Sequence, residues 1–136
     1  MIPEVGKTIF IEDGLGEDSI GWKKAMLFDD AKGSYRNVIV KLIIPKDALL
    51  VLGRYKCRAS YAKVEGIYLS SRYHKEPPAA LPMTEAESWY TFPFGKFIYK
   101  VGQYVYPDRF DTDVVSCSHG IHFFRTYWEA AHYNFS

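Results

Sequence analysis

The chain has little of what would make its function easy to read. It carries only two cysteines, Cys57 and Cys117, in 136 residues, too few for a disulfide scaffold that substitutes for a core. It has no large excess of charge: seventeen Lys and Arg stand against sixteen Asp and Glu, for a net charge of +1. An extended nucleic-acid surface needs a clear basic surplus, so that class is excluded. No apolar run approaches the roughly 18 residues of a membrane span. The start Met1-Ile2-Pro3-Glu4 has no basic region before an apolar stretch, so no secretory leader is expected. The expectation is a cytoplasmic protein with both thiols reduced and no membrane partner. Gly14-Leu15-Gly16 lacks the third glycine and the helix of a dinucleotide fingerprint, and no Gly-x-Ser-x-Gly elbow occurs.

Aromatic residues are abundant. Eleven Tyr, nine Phe and three Trp make up 17% of the chain, and such side chains suit strand packing, interfaces and stacking platforms alike. A length of 136 residues fits one domain spanning 1–136.

The hydrophobic pattern predicts an α+β fold, mainly β: a mixed or antiparallel sheet of about seven strands with two or three short helices. Strands are expected at Thr8–Ile11, Ile20–Leu27, Ala62–Tyr68 and Val114–Phe124. Val38–Ile44 is almost continuously β-branched, as in a central strand buried on both faces, and Pro45 ends it. Asp47–Leu52 reads as one helical turn. Ser70–Pro82 reads as a long exposed loop. Thr84-Glu85-Ala86-Glu87 and Thr126-Tyr127-Trp128-Glu129 both have capping-box spacing and predict short helices. Lys96–Lys100 and Gln103–Tyr106, joined at Val101-Gly102, read as a hairpin.

Several strings then resemble a known family. They are Val40-Lys41-Leu42, Ile44-Pro45-Lys46-Asp47-Ala48, Lys56-Cys57-Arg58-Ala59, Ala62-Lys63-Val64, Tyr99-Lys100-Val101-Gly102-Gln103-Tyr104-Val105, Phe110-Asp111-Thr112-Asp113 and Cys117-Ser118-His119-Gly120-Ile121-His122-Phe123-Phe124. Together they resemble an uncharacterised domain of phages, giant viruses and bacterial pentapeptide-repeat proteins, over residues 20 to 133. A related small phage family has a similar Tyr-x-Val-Gly strand, Cys-x-x-Gly-x-His strand and short helix. This chain departs from the pattern at Leu50-Val51-Leu52, where the family is more polar. The resemblance implies a viral or mobile-element accessory protein and supplies no catalytic residues.

Three constellations carry chemistry. Cys117, His119 and His122, with Cys57 as a fourth ligand, have the residue types of a zinc site, but strand alternation turns His122 away from the other two. Cys57 or Cys117 beside a histidine would be a thiol nucleophile, yet no thiol-hydrolase motif surrounds either. Asp108, Asp111 and Asp113 lack EF-hand spacing and its closing Glu. No metal and no cofactor is therefore expected.

The remaining idea is an aromatic and cationic pocket for a small anionic, nucleotide-like ligand. Its candidate residues are Trp22, Lys24, Arg54, Lys56, Arg58, Tyr99, Tyr104, His119 and His122, with Lys23 and Tyr61 of the same character. The leading expectation is a non-catalytic accessory binding protein that captures such a ligand, an immune signal among the versions, or a host protein. One alternative is an enzyme on a nucleotide-like substrate with His119 or His122 in the pocket. The other is a structural module, a homo-oligomer held through Leu49-Leu50-Val51-Leu52.

Overall fold

The computed structural model describes residues 18–52, 56–82, 84–89, 96–107 and 120–133. The strand expected at Thr8–Ile11, and Arg54, Cys117 and His119, lie outside them. The fold grows from one long hairpin. β1 (Ser19–Asp29) and β2 (Ser34–Ile44) pair antiparallel along their whole length, from Ser19 opposite Ile44 to Asp29 opposite Ser34. The turn between them uses Gly33 at φ +66°, a backbone conformation that disfavours other L-residues.

Seven further strands complete one antiparallel sheet: β3 (Leu50–Leu52), β4 (Lys56–Ala59), β5 (Ala62–Leu69), β6 (Glu85–Trp89), β7 (Lys96–Lys100), β8 (Tyr104–Val105) and β9 (Ile121–Phe124). Their spatial order is β3-β4-β9-β1-β2-β5-β8, with β6 and β7 branching from β1. The second edge of β1 is thus shared. Trp22 pairs with Phe124 of β9, and farther along Met26 pairs with Glu87 of β6. The single helix among the described residues is α1 (Tyr127–His132).

Alternation along β1 and β2 divides the packing. Ala25, Val38, Val40, Leu42 and Ile44 face the larger core with Cys57, Val64, Ile67, Tyr99, Ile121 and Phe123. Trp22 and Ile39 face the other way, into a smaller cluster with Phe124, Tyr127, Ala130 and Ala131 beneath α1. β2 is the doubly buried strand its sequence announces. Gly21 sits where Phe123 crosses the sheet, and a Cβ there would come within 2.6 Å of the Phe123 ring. Gly21→Ala is expected to destabilise the fold by about 2 kcal/mol through overpacking, measured as a lower urea midpoint with an unchanged slope.

The architecture is α+β, mainly β, with local differences from expectation. Among the described residues there are nine strands, where about seven were expected, and one helix, where two or three were expected. Asp47–Leu52 is not a helical turn. A tight turn closed by Ala48 N–H donating to the Pro45 carbonyl (3.0 Å) leads directly into β3. There Leu50, Val51 and Leu52 pair with Ala59, Arg58 and Cys57 and are all buried. That burial also removes them as an exposed oligomer surface.

Thr84–Glu87 is not a helix start either. Glu85–Trp89 pairs with β7 at five positions, and a one-turn helix cannot compete with a ladder of that length. The Lys100–Gln103 turn exists, with Gly102 at φ +87° and Gln103 N–H donating to the Lys100 carbonyl (3.0 Å). Yet it does not join a paired hairpin: β7 pairs with β6 and β8 with β5. The turn amides bind outward instead, Gly102 to the Val64 carbonyl and Val101 to the Thr84 carbonyl, each at 2.8 Å. The turn therefore ties the two arms of the sheet together.

The Ser70–Pro82 loop is pinned along one side, where Ala80 bridges to Tyr68 and Leu81 N–H donates to the Ile67 carbonyl. The expected C-terminal helix does form. Thr126 is its N-cap, with Oγ1 accepting from Glu129 N–H at 3.1 Å and donating to the Glu129 carboxylate at 3.0 Å.

Candidate functional site

The sequence-predicted ligand residues separate in space. Trp22 is buried and meets Tyr68 and Tyr127 edge-to-face at 6.0 and 5.8 Å. Lys24, only 4% exposed, turns its ammonium to the end of α1 and donates to the carbonyls of Ala131 (3.1 Å) and Tyr133 (2.6 Å). Both residues thus serve the docking of the helix. Tyr99 is completely buried in the larger core. Arg58 and His122 are cross-strand partners on β4 and β9, Arg58 buried and His122 half-buried. Lys56 opens β4 opposite Phe124.

Tyr104 stands in the open, and it is not isolated. Gln103-Tyr104-Val105-Tyr106 alternates, so Val105 is buried while Tyr104 and Tyr106 are 51% and 63% exposed. Tyr61, just before β5, completes a triangle of rings. Its centroid lies 5.9 Å from Tyr104 and 5.6 Å from Tyr106, nearly parallel to the latter at 6°. Tyr104 and Tyr106 are 6.5 Å apart. The Lys63 ammonium lies over Tyr104, 5.8 Å from its centroid. The Tyr61 hydroxyl donates a short hydrogen bond to the Asp47 carboxylate.

That bond has a measurable consequence. The Asp47 hydrogen bond, with some desolvation and the Asp47 charge, pushes the Tyr61 phenol up from 10.0 to about 12. Between those values the folded chain keeps a proton that the unfolded chain has lost, so stability falls as pH rises through the interval. Tyr127 is also raised, chiefly by burial. Absorbance titration should show Tyr61 ionising late, and Asp47→Asn should return it toward the ordinary range while leaving Tyr127 late. Late ionisation of Tyr61 persisting in Asp47→Asn would refute this origin.

Sequence reasoning identified Tyr61 and Tyr104 but missed Tyr106, Lys63 and Asp47. The Tyr-x-Tyr alternation around an apolar Val105 was the available signal for Tyr106. Tyr61-x-Lys63 carries the same alternation, whereas Asp47 reaches the cluster from a turn 14 residues earlier, which no local pattern reveals.

A groove of about 180 Å³ at the tip of the long hairpin is lined by Met26, Phe28, Asp30, Glu85, Glu87 and Ile98. Its carboxylates suit it poorly to an anion. Among the described residues no three His, Cys, Asp or Glu side chains gather as a metal site, and no helix is long and apolar enough to cross a membrane.

Residues 2–130 match the sequence profile of DUF5758, a family of unknown function, and the chain belongs to that family. No curated protein and no solved structure matches it.

Proposed function

We propose that this chain is a non-catalytic binding domain that engages another protein through the Tyr61, Tyr104 and Tyr106 cluster. The carrying observation is that two large aromatic side chains stand more than half exposed against a third ring and beside a cation. Aromatic clusters of this kind concentrate binding energy at protein interfaces. A captured small anion needs enclosure, since ligand pockets bury most of their ligand's surface. Here the described residues chosen for such a pocket are distributed between helix docking, core and open surface. That favours the protein-partner version of the binding reading over capture of a nucleotide-like molecule. The resemblance to phage and giant-virus domains fits an accessory protein working in the host cytoplasm.

Native mass spectrometry of the protein recovered from the cells that express it tests this reading. Wild type is expected to retain a protein partner, and the Tyr104→Ser/Tyr106→Ser double variant to lose it while staying folded. Retention of a small-molecule mass by both forms, with no protein partner on either, would overturn the proposal.

A further inference from the structure

We infer that the groove at the tip of the β1–β2 hairpin receives an arginine side chain from a basic segment of a partner protein. This contact is additional to the tyrosine cluster, with which it shares no residue.

The groove exists because β6 leaves β1. Their ladder has a single rung, Met26 with Glu87, whereas β6 pairs with β7 at five positions and β1 continues beside β2 to Asp29. Past that rung the two strands part. Met26, Glu87 and Ile98 stand in one row across β1, β6 and β7 and therefore share a face. Phe28 and Asp30 line the groove from the hairpin side and Glu85 from the other. Phe28 is 46% exposed and is steadied by an edge-to-face contact with Tyr35 at 5.2 Å.

Charge decides the kind of occupant. Met26, Phe28 and Ile98 offer an apolar lining, and Asp30, Glu85 and Glu87 offer three carboxylates. Lys100 opposes Glu85 across the β6–β7 ladder and offsets one of them at most. Among the described residues the Asp30 and Glu85 carboxylates take part in no ion pair and accept no hydrogen bond, so the fold does not consume them. The complementary ligand is a cation on an apolar stem, which is the character of a long basic side chain.

Size and geometry narrow it further. The groove's volume of about 180 Å³ falls short of the roughly 300–1,000 Å³ of pockets that enclose a whole small ligand. It suits one side chain of a larger partner. The three carboxylates do not gather closely enough to ligate one metal ion. A guanidinium can still engage them, because its N–H donors spread over a rigid plane, and that plane also stacks on an aromatic ring such as Phe28. Lysine brings a compact ammonium with neither property.

The test titrates the full chain with Gly-Ser peptides that carry arginine, lysine or citrulline at the same positions, following the Met26 and Ile98 methyl resonances by NMR. Citrulline keeps the shape of arginine without its charge. The arginine peptide is expected to bind saturably and shift both methyls, the lysine peptide to bind more weakly, and the citrulline peptide not to bind. Asp30→Asn/Glu85→Gln, which neutralises two exposed carboxylates, is expected to weaken arginine binding at least about tenfold. Glu76→Gln, at an exposed carboxylate in the Ser70–Pro82 loop, should bind as wild type. Preserved amide spectra establish that each variant is folded. Absence of saturable arginine binding, equal binding by either other peptide, undiminished binding by Asp30→Asn/Glu85→Gln, or equal weakening by Glu76→Gln would overturn the inference. Every variant here keeps Tyr61, Tyr104 and Tyr106, so failure of this inference leaves the tyrosine-cluster reading to its own test.

Discussion

Leu50→Asp is expected to abolish folding at neutral pH rather than release a folded monomer. Leu50 is 5% exposed, packs in the larger core and pairs with Ala59 on β4. Replacing it removes a buried leucine, a loss of about 2–5 kcal/mol for truncation alone, and adds a carboxylate with no buried partner. The combined penalty is comparable to the 5–15 kcal/mol by which domains are stable. Its pH dependence provides a check. Burial would raise the carboxyl pKa above its unfolded value of about 3.9, so the folded state would bind the extra proton and the deficit would shrink as pH falls toward that value. Circular dichroism at pH 7 and pH 4 separates the outcomes. A fully folded, monodisperse variant at pH 7 would contradict the burial of β3 and restore Leu49–Leu52 as a contact surface.

Lys24→Ala is expected to lower stability by about 3 kcal/mol and to loosen α1 from the sheet. The last carbonyls of a helix have no partners within it and form its negative end. Lys24 reaches two carbonyls at that end from below, at Ala131 and Tyr133. A six-residue helix has too few turns to persist alone, so its order depends on what it docks against. Truncation leaves buried acceptors unsatisfied and opens a gap under the helix. Lys24→Met keeps most of the stem but not the donor, and should cost about 2 kcal/mol. The lysine pKa is drawn below its ordinary value by burial first and by the Arg72 charge second. From the folded pKa up to about 10.4 the unfolded chain holds the extra proton, so wild-type stability gains from this residue as pH rises there, a gain that Lys24→Met lacks.

The helix has a second anchor. The Tyr127 hydroxyl donates to the Leu69 carbonyl (2.6 Å) and accepts from Ser71 N–H (2.9 Å). If α1 undocks as a unit, Tyr127→Phe should cost less in the Lys24→Ala background than alone. Strict additivity in urea unfolding, with unchanged Trp22 fluorescence, would show that the two anchors act independently.

The elements that could be read from sequence were those with a strong local signal. Val38–Ile44 and Ile20–Leu27 carry long β patterns, and Thr126 with Glu129 makes the local cap that starts α1. The errors share a cause. At Thr84–Glu87 and Asp47–Leu52, short-range spacing favoured helix while the next strand along the chain offered a ladder. At Lys100–Gln103 the turn chemistry was right, but the strands it joins pair elsewhere, β7 with β6 and β8 with β5. In each case the pairing partner lies outside the segment whose spacing was read.

The site was less legible for a related reason. Composition identifies residues able to stack or pair with anions, but those same types also build cores and brace helices. Lys24 is the clear instance: its charge suggested a ligand, whereas the end of α1 already occupies its donors. Tyr99 and Tyr104 lie five positions apart with similar sequence surroundings, and only the direction of β7 against β8 sends one inward and the other out.

The shared edge of β1 also bears on the order in which the chain assembles. Its hairpin with β2 closes across a short turn and costs little loop entropy, whereas the Lys24–Ala131 contact closes a separation of 107 residues. The hairpin is therefore the natural nucleus, and β6 and β9 are late arrivals that occupy different stretches of one waiting edge. Until they arrive, that edge is an open template on which another chain's strand can pair. The vulnerable moment of this fold is the interval between making β1 and receiving its last partner, and faster return of the C-terminal segment should suppress aggregation during refolding without altering the native state.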